Sequence, residues 1–333
     1  MDEFELIERL LERTGAGVRG VRLGPGDDAC VLRPRPGSDV VVTTDVQVEG
    51  THFRWEWLRP ADVGHRAVAA CLSDLAAMGA RPWVVLSSLA IPAALSPARI
   101  HGVQRGMDRA LRRYGAALVG GNISSTSGPY SITLTGLGSV PAGSHLARRG
   151  ATAGDGIWVS GEPGRAALGR EHLARGIRTP AYERAFCRPE PRLALGWALR
   201  RRRLASAMID VSDGLAGDLA HLLAARLGAR LEAPALVPPA HFTQRCRSLG
   251  LDAEGLVLNG GEDYELLFTA PPRVSERSLG PLARRLGVRI RRIGTIEATP
   301  AIWMADVDGS LRRVSPRGWR HGVATGGPGR ASE

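Results

Sequence analysis

Six aspartates stand at the ends of apolar segments in this chain: Asp27 and Asp28 in "GPGDDACV", Asp45 in "VVTTDVQVEG", Asp74 in "CLSDLAAMGA", and Asp210 and Asp213 in "MIDVSDGLAGD". A carboxylate in such surroundings is seldom buried without a partner, because taking a charge out of water is expensive. Taken singly, each position has an ordinary explanation. Asp27 and Asp28 follow a glycine turn and can face water, and Asp213 stands where a helix N-cap is common. Gathered in one place, the six would accumulate negative charge and require cations. Mg2+, held by carboxylates, by hydroxyls such as those of Thr43 and Thr44, and by phosphate oxygens, meets that requirement. Such a site suits polyphosphate chemistry, in which positioning and charge neutralisation do most of the catalysis. Spacing alone does not establish that the six converge.

Around these aspartates the chain reads as alternating strands and helices. A helix is expected over residues 3–13, a β-branched strand over 39–46 and a helix over 61–80, with Ala67, Ala70, Cys71, Leu75 and Met78 at helical spacing and Gly79 as its stop. A strand follows over 83–91. The next helix starts at Ser96, a suitable N-cap, and ends at Tyr114 before Gly115. Strands over 116–121 and 131–140 close this half, the second with clear alternation. The glycine-rich stretch 141–156 marks a boundary, which divides the chain into domains 1–141 and 150–325. The second half repeats the mixture, with strands over 156–161, 207–212, 229–237 and 289–297. Its helices are expected near 164–175, 190–203 and 213–228, and "GGEDYELLFTA" occupies 260–270. The fold class is α+β.

Charge and cysteine usage narrow the function classes. The formal net charge is +11 and every basic residue is arginine. Without lysine there is no P-loop lysine, so nucleotide chemistry here must be built another way. The arginines are scattered and no aromatic stripe interleaves them, which favours a compositional bias over nucleic-acid binding. No apolar run reaches the length of a membrane span. The charged start "MDEFELIERLLERTG" does not have the form of a signal peptide, and Cys30, Cys71, Cys187 and Cys246 are widely separated. These features point to a reducing, cytoplasmic setting.

The stretches "GPGDDACV", "TTDVQVEGTHF", "LSDLAAMGA", "LVGGN", "RRGATAGDGIWVSG", "IDVSDGLAGDLAH" and "GGEDYELLFT" occur in the order found in the thiamine-monophosphate kinase family, which the chain resembles over roughly 24–295. That family belongs with aminoimidazole ribonucleotide synthetase and its relatives. The resemblance implies a two-domain fold whose N-terminal sheets pair across a homodimer. It also implies direct, Mg2+-assisted transfer of the γ-phosphoryl group of ATP to thiamine monophosphate, giving thiamine diphosphate. Matched position by position, Asp28, Thr43, Thr44, Asp45, Asp74, Asn122, Asp210 and Asp213 would hold metal, with Asp27 beside them. Tyr114, Gly121, Asn122, Arg148 and Ser212 would lie on the ATP side. His52, Glu262 and Trp319 would hold thiamine monophosphate, the last by stacking indole on the cationic thiazolium.

One position departs from the pattern. In "LVGGNISS" the residue after the glycine pair is Asn122, where the family usually carries aspartate. An amide oxygen ligates Mg2+ more weakly than a carboxylate. Two other readings stand beside this one: another ATP-using enzyme of the same superfamily, and a catalytically weakened nucleotide-binding homologue, which the neutral side chain of Asn122 alone favours. "EGTHF" and "GGEDYE" oppose the first, and the five retained aspartates oppose the second.

Overall fold

The computed structural model describes residues 17–316, so the expected helix over 3–13 and Trp319 lie outside the described residues. A short antiparallel pair, β1 (Val21–Leu23) and β2 (Val31–Leu32), precedes the first sheet. That sheet contains β3 (Ser38–Val48), β4 (Arg81–Pro92), β5 (Ala117–Thr126) and β6 (Ser131–Pro141), in the order β3-β6-β4-β5. Helix α1 (Pro60–Ala77) links β3 to β4, and α2 (Pro97–Tyr114) makes the crossover that leaves β4 and β5 parallel. Ser96 occupies the N-cap of α2, and Gly115 ends the helix in the left-handed region at φ 73°.

Alternation in β6 explains how α1 is seated. Ile132, Leu134 and Val140 face the helices and are buried. Gly136 shares that face, and a Cβ there would lie 2.8 Å from Cys71 Sγ, so its absence lets α1 press against the sheet. The opposite face is open. Val40, Val42 and Val46 of β3 point to it and are 37%, 61% and 41% exposed.

The second sheet has seven strands in the order β13-β12-β9-β11-β7-β10-β8. They are β7 (Gly156–Ser160), β8 (Ala207–Val211), β9 (Gly228–Glu232), β10 (Glu265–Ala270), β11 (Ile290–Glu297), β12 (Ile302–Ala305) and β13 (Leu311–Arg313). Between them run α3 (Arg165–Ala174), α4 (Pro180–Cys187), α5 (Leu193–Arg201), α6 (Leu215–Leu223), α7 (Ala233–Leu236), α8 (Ala240–Ser248), α9 (Ala253–Asn259) and α10 (Glu276–Leu286). Strands β7, β8 and β10 are buried throughout, as their apolar runs require.

Helix α1 belongs to both halves. Cys71, Leu72 and Leu75 pack into the core of the first sheet. Ala76 and Ala77 join Leu195, Leu199, Met208, Leu266 and Phe268 in a core of the second. The C-terminal turns of α1 are therefore wedged between the sheets, and Asp74 lies in those turns.

Two expectations change. The strand read as ending at Gly121 runs on to Thr126, because β4 pairs with it through Pro92 and supplies backbone partners for "GNISST". The strand expected over 229–237 stops at Glu232, where Pro234 enters the first turn of α7 and cannot donate to a ladder.

Candidate active site

Strand β3 sends Thr43, Asp45 and Gln47 to its inner face, toward α1. Thr43 Oγ1 donates to Asp74 Oδ2 at 2.5 Å. One residue earlier on the helix, Ser73 Oγ donates to Asp210 Oδ2 at 2.7 Å. Asp210 is the penultimate residue of β8 and is itself buried. Three carboxylates from three elements thus meet at the seam between the sheets, and each feels the others. Burial, and then the charge of Asp74, push Asp210 up to about 7. Burial also raises Asp74, against the hydrogen bond from Thr43 and the charge of Arg148. Asp45 rises to about 6, again mainly through burial. Carboxylates held this way gain when a cation arrives.

Among the described residues, no three acidic, histidine or cysteine side chains converge on one point where a single ion could take them all. This donor set still fits Mg2+, which commonly takes one or two carboxylates and completes its shell with water and substrate phosphates.

Beside the carboxylates lies a cavity of about 450 Å³ lined by Asp45, His52, Arg170, Ser212, Asp213 and Glu262, among others. Its size suits a small-molecule ligand. His52 Nδ1 accepts the Val48 N–H at 3.0 Å, so the neutral ring carries its proton on Nε2. Ser212 and Asp213 sit in the turn from β8 into α6. That turn is tied by Asp218, whose Oδ2 accepts the N–H groups of Ser212, Asp213 and Gly214 at 3.1, 3.2 and 3.2 Å. The cap is supplied by Asp218, a role the sequence reading missed. The available signal was a carboxylate inside the apolar helix "GLAGDLAHLL", where burial demands partners.

The loop "GGEDYE" divides its acids among separate tasks. Glu262 faces the cavity, and its N–H bonds Ser212 O at 2.7 Å. Asp263 turns away and accepts the N–H groups of Gly164 and Ala166 at 2.7 and 3.0 Å, at the start of α3. Glu265 pairs with Arg192. Both Glu262 and Tyr264 have left-handed backbones, at φ 61° and 51°, a strained state for residues with side chains. Arg66, fully buried on α1, reaches this loop: one terminal nitrogen donates to Glu262 Oε1 and the other to Phe186 O. Its Nε donates to Gln47 Oε1 at 3.1 Å. In sequence Arg66 is one arginine among many, and nothing in its spacing marks it.

Residues 26–140 match the family described as AIR synthase related protein, N-terminal domain. Over 304 residues the chain is 38% identical to the thiamine-monophosphate kinase of Salmonella typhimurium, covering 89% of this chain and 90% of that protein. The chain belongs to the thiamine-monophosphate kinase family. Its fold agrees with solved members of that family. The thiamine-monophosphate kinase from Stenotrophomonas maltophilia K279a superposes with a TM-score of 0.79 at 37% identity, covering 93% of this chain and 97% of that one. A structure of AaThiL complexed with AMPPCP and TMP superposes with a TM-score of 0.76 at 28% identity, covering 96% and 95%.

The residues matched to the thiamine-monophosphate kinase pattern fall into three groups. Thr43, Asp45, Asp74 and Asp210 meet at the seam, and Thr44, Asp45, His52, Ser212, Asp213 and Glu262 line the cavity. Arg148 lies close enough for its charge to lower both Asp74 and Asp210. The remainder are placed elsewhere. Asp27 and Asp28 are exposed in the loop between β1 and β2, with Asp27 Oδ1 accepting the Asp28 N–H at 3.0 Å. Tyr114 packs with its ring 6.0 Å from that of His65, near the start of α1 and about 13 Å of helix rise before Asp74. Asn122 pairs in register with Ser88, while its neighbour Ile123 packs into the core, so Asn122 points to the open face of the first sheet. Thr44, although it also borders the cavity, turns its hydroxyl to that open face, Oγ1 lying 3.3 Å from Thr135 Oγ1. At Gly121 a Cβ would lie 2.1 Å from Ser87 O, so close strand packing alone requires glycine.

Proposed function

We propose that this chain phosphorylates thiamine monophosphate with ATP to give thiamine diphosphate. The observation that carries the reading is the single cavity joining Asp45 and Asp213, of the acidic set, to His52 and Glu262, of the acceptor set. Ligands named for the related AaThiL structure, AMPPCP and TMP, are an ATP analogue and a phosphate acceptor of the kind such a cavity would take.

An oxygen of the acceptor phosphate forms a bond to the γ-phosphorus, and the bond from that phosphorus to the β–γ bridging oxygen breaks, releasing ADP. The acceptor oxygen is already anionic, so no general base is required. The obstacle is repulsion between two anions, which bound Mg2+ relieves by neutralising their charge. Asp28, Thr43, Thr44, Asp45, Asp74, Asn122, Asp210 and Asp213 are the candidate metal-holding residues. Arg148, Ser212, Gly121, Asn122 and Tyr114 are assigned to the nucleotide, and Arg148 adds fixed positive charge beside the carboxylates. His52, Glu262 and Trp319 are assigned to the acceptor: His52 would donate to it through Nε2–H, Glu262 would accept from it, and Trp319 is matched by sequence alone to a residue that would stack on it.

Domain 1–141 would provide the metal and nucleotide side together with a homodimer contact, and domain 150–325 the rest of the cavity. The exposed valines of β3 support pairing through the open sheet face, an apolar surface of the kind that marks an interface. Such pairing would give Asn122 and Thr44 their surroundings. Among the described residues no helix is long and apolar enough to cross a membrane, and we assign the enzyme to the cytoplasm. The test is direct: purified protein is incubated with ATP, Mg2+ and thiamine monophosphate, and thiamine diphosphate is measured. Folded protein that forms none overturns the reading.

A further inference from the structure

Arg66 is the least solvent-accessible cation at the site, at 0% exposure, and its three donor nitrogens are all engaged. Its guanidinium lies 4.3 Å from the centroid of the Phe186 ring and 6.0 Å from that of Tyr264. A buried guanidinium loses its hydration, and a hydrophobic side chain of similar volume would fill the same space at less cost. The placement of its partners explains the charge. One is Glu262, on the acceptor side of the cavity. Another is Gln47, whose Nε2 donates to Asp45 Oδ1 at 3.3 Å. The chain Asp45, Gln47, Arg66, Glu262 therefore links a carboxylate of the metal-holding set to the acceptor-holding one without using a substrate atom.

We propose that Arg66 is the positioning residue for the acceptor: it fixes the carboxylate of Glu262 and offsets its charge, so that an anionic phosphate ester can approach a wall already carrying Asp45 and Asp213. Two features support this. Glu262 and Tyr264 have left-handed backbones, a loop geometry that persists only when its surroundings over-determine it. The guanidinium fork clamps that loop to α1, the helix that also carries Asp74. In addition, Arg66 occupies one oxygen of Glu262 and leaves the other to accept a hydrogen bond from the ligand. Lysine cannot reproduce this fork, because its ammonium is a point charge without the planar set of donors.

This inference rests on the phosphoryl-transfer reading above, and wild-type turnover tests that reading separately. The experiment is a double-mutant cycle with Arg66→Met, Glu262→Gln and the pair, with kcat and KM measured for both substrates. Arg66→Met is expected to lower kcat/KM for thiamine monophosphate about tenfold or more, as removing one member of a buried pair does. KM for ATP should stay within about twofold, because the lost contact lies on the acceptor side. In the Glu262→Gln background the same substitution should cost less than about threefold, since coupled residues are non-additive. An equal loss in both backgrounds, or equal rises in KM for ATP and thiamine monophosphate, overturns the proposal. If Arg66→Met does not fold, Arg66→Lys is read by the same criteria.

Discussion

Ser73 and Asp210 are joined by a 2.7 Å hydrogen bond that runs from helix α1, packed on the first sheet, to strand β8 of the second. The bond orients a carboxylate whose protonation is already favoured by burial and by Asp74. Ser73→Ala leaves Asp210 buried without that donor. The expected result is a stability loss of about 1–3 kcal/mol in urea titration, with a fall in turnover. A variant as stable and as active as the parent would mean that the bond carries neither role.

Asp74 accepts from Thr43 and shares its field with Asp45 and Asp210. Asp74→Asn keeps the shape and removes the charge. Turnover should fall about 10²-fold or more, because electrostatic positioning is the largest single contribution to this kind of transfer. Near-normal activity in a folded variant would mean that the three carboxylates do not act together.

Asn122 stands on the open sheet face in register with Ser88. Asn122→Asp should lower the Mg2+ concentration that gives half-maximal activity, since a carboxylate ligates this ion more strongly than an amide does. An unchanged Mg2+ dependence would remove Asn122 from the metal-holding set.

Val42 is 61% exposed at the centre of the valine row on β3. If this face pairs two copies, Val42→Glu should place a charge in an apolar contact and shift the mass measured by light scattering from dimer to monomer. A parent protein that is monomeric at working concentrations would reject the pairing.

His65 is buried, and burial, helped by the charges of Arg188 and Arg113, lowers its pKa below 6.5 against the opposing hydrogen bond to Pro189 O. Below pH 6.5 the unfolded chain takes up a proton that the folded chain resists. Stability is therefore lost as pH falls from 6.5 through the lower folded value. His65→Gln should flatten that part of the urea midpoint curve between pH 7.5 and 5.5, and a slope unchanged by the substitution would show that His65 does not supply it.

The sequence and the structure agree where local pattern and burial point the same way. The alternation of β6, the apolar stretch of β8 and the stop at Gly115 are visible residue by residue, and Asp45, Asp74 and Asp210 stand out as charges among apolar neighbours. Tertiary pairing decides the rest. The strand is read as ending at Gly121 because the glycine pair and the polar residues after it break the local pattern, yet β4 pairs with it in register as far as Thr126. Arg66, Asp218 and Asp263 act on loops far away in sequence or on backbone N–H groups, and neither kind of partner leaves a trace in spacing. Within "GGEDYE" the family resemblance picks out Glu262, which packing does place at the cavity, but it gives no role to Asp263 or Glu265, which packing assigns to the start of α3 and to Arg192.

The shared position of α1 also ties assembly of the proposed site to the folding of both halves. Its inner residues complete one core and its last turns complete another, so Asp74 meets Asp210 only after both halves have closed on the same helix. A chain caught half-assembled during synthesis or after heat damage lacks the paired carboxylates. It would therefore leave ATP intact instead of passing its terminal phosphate to water.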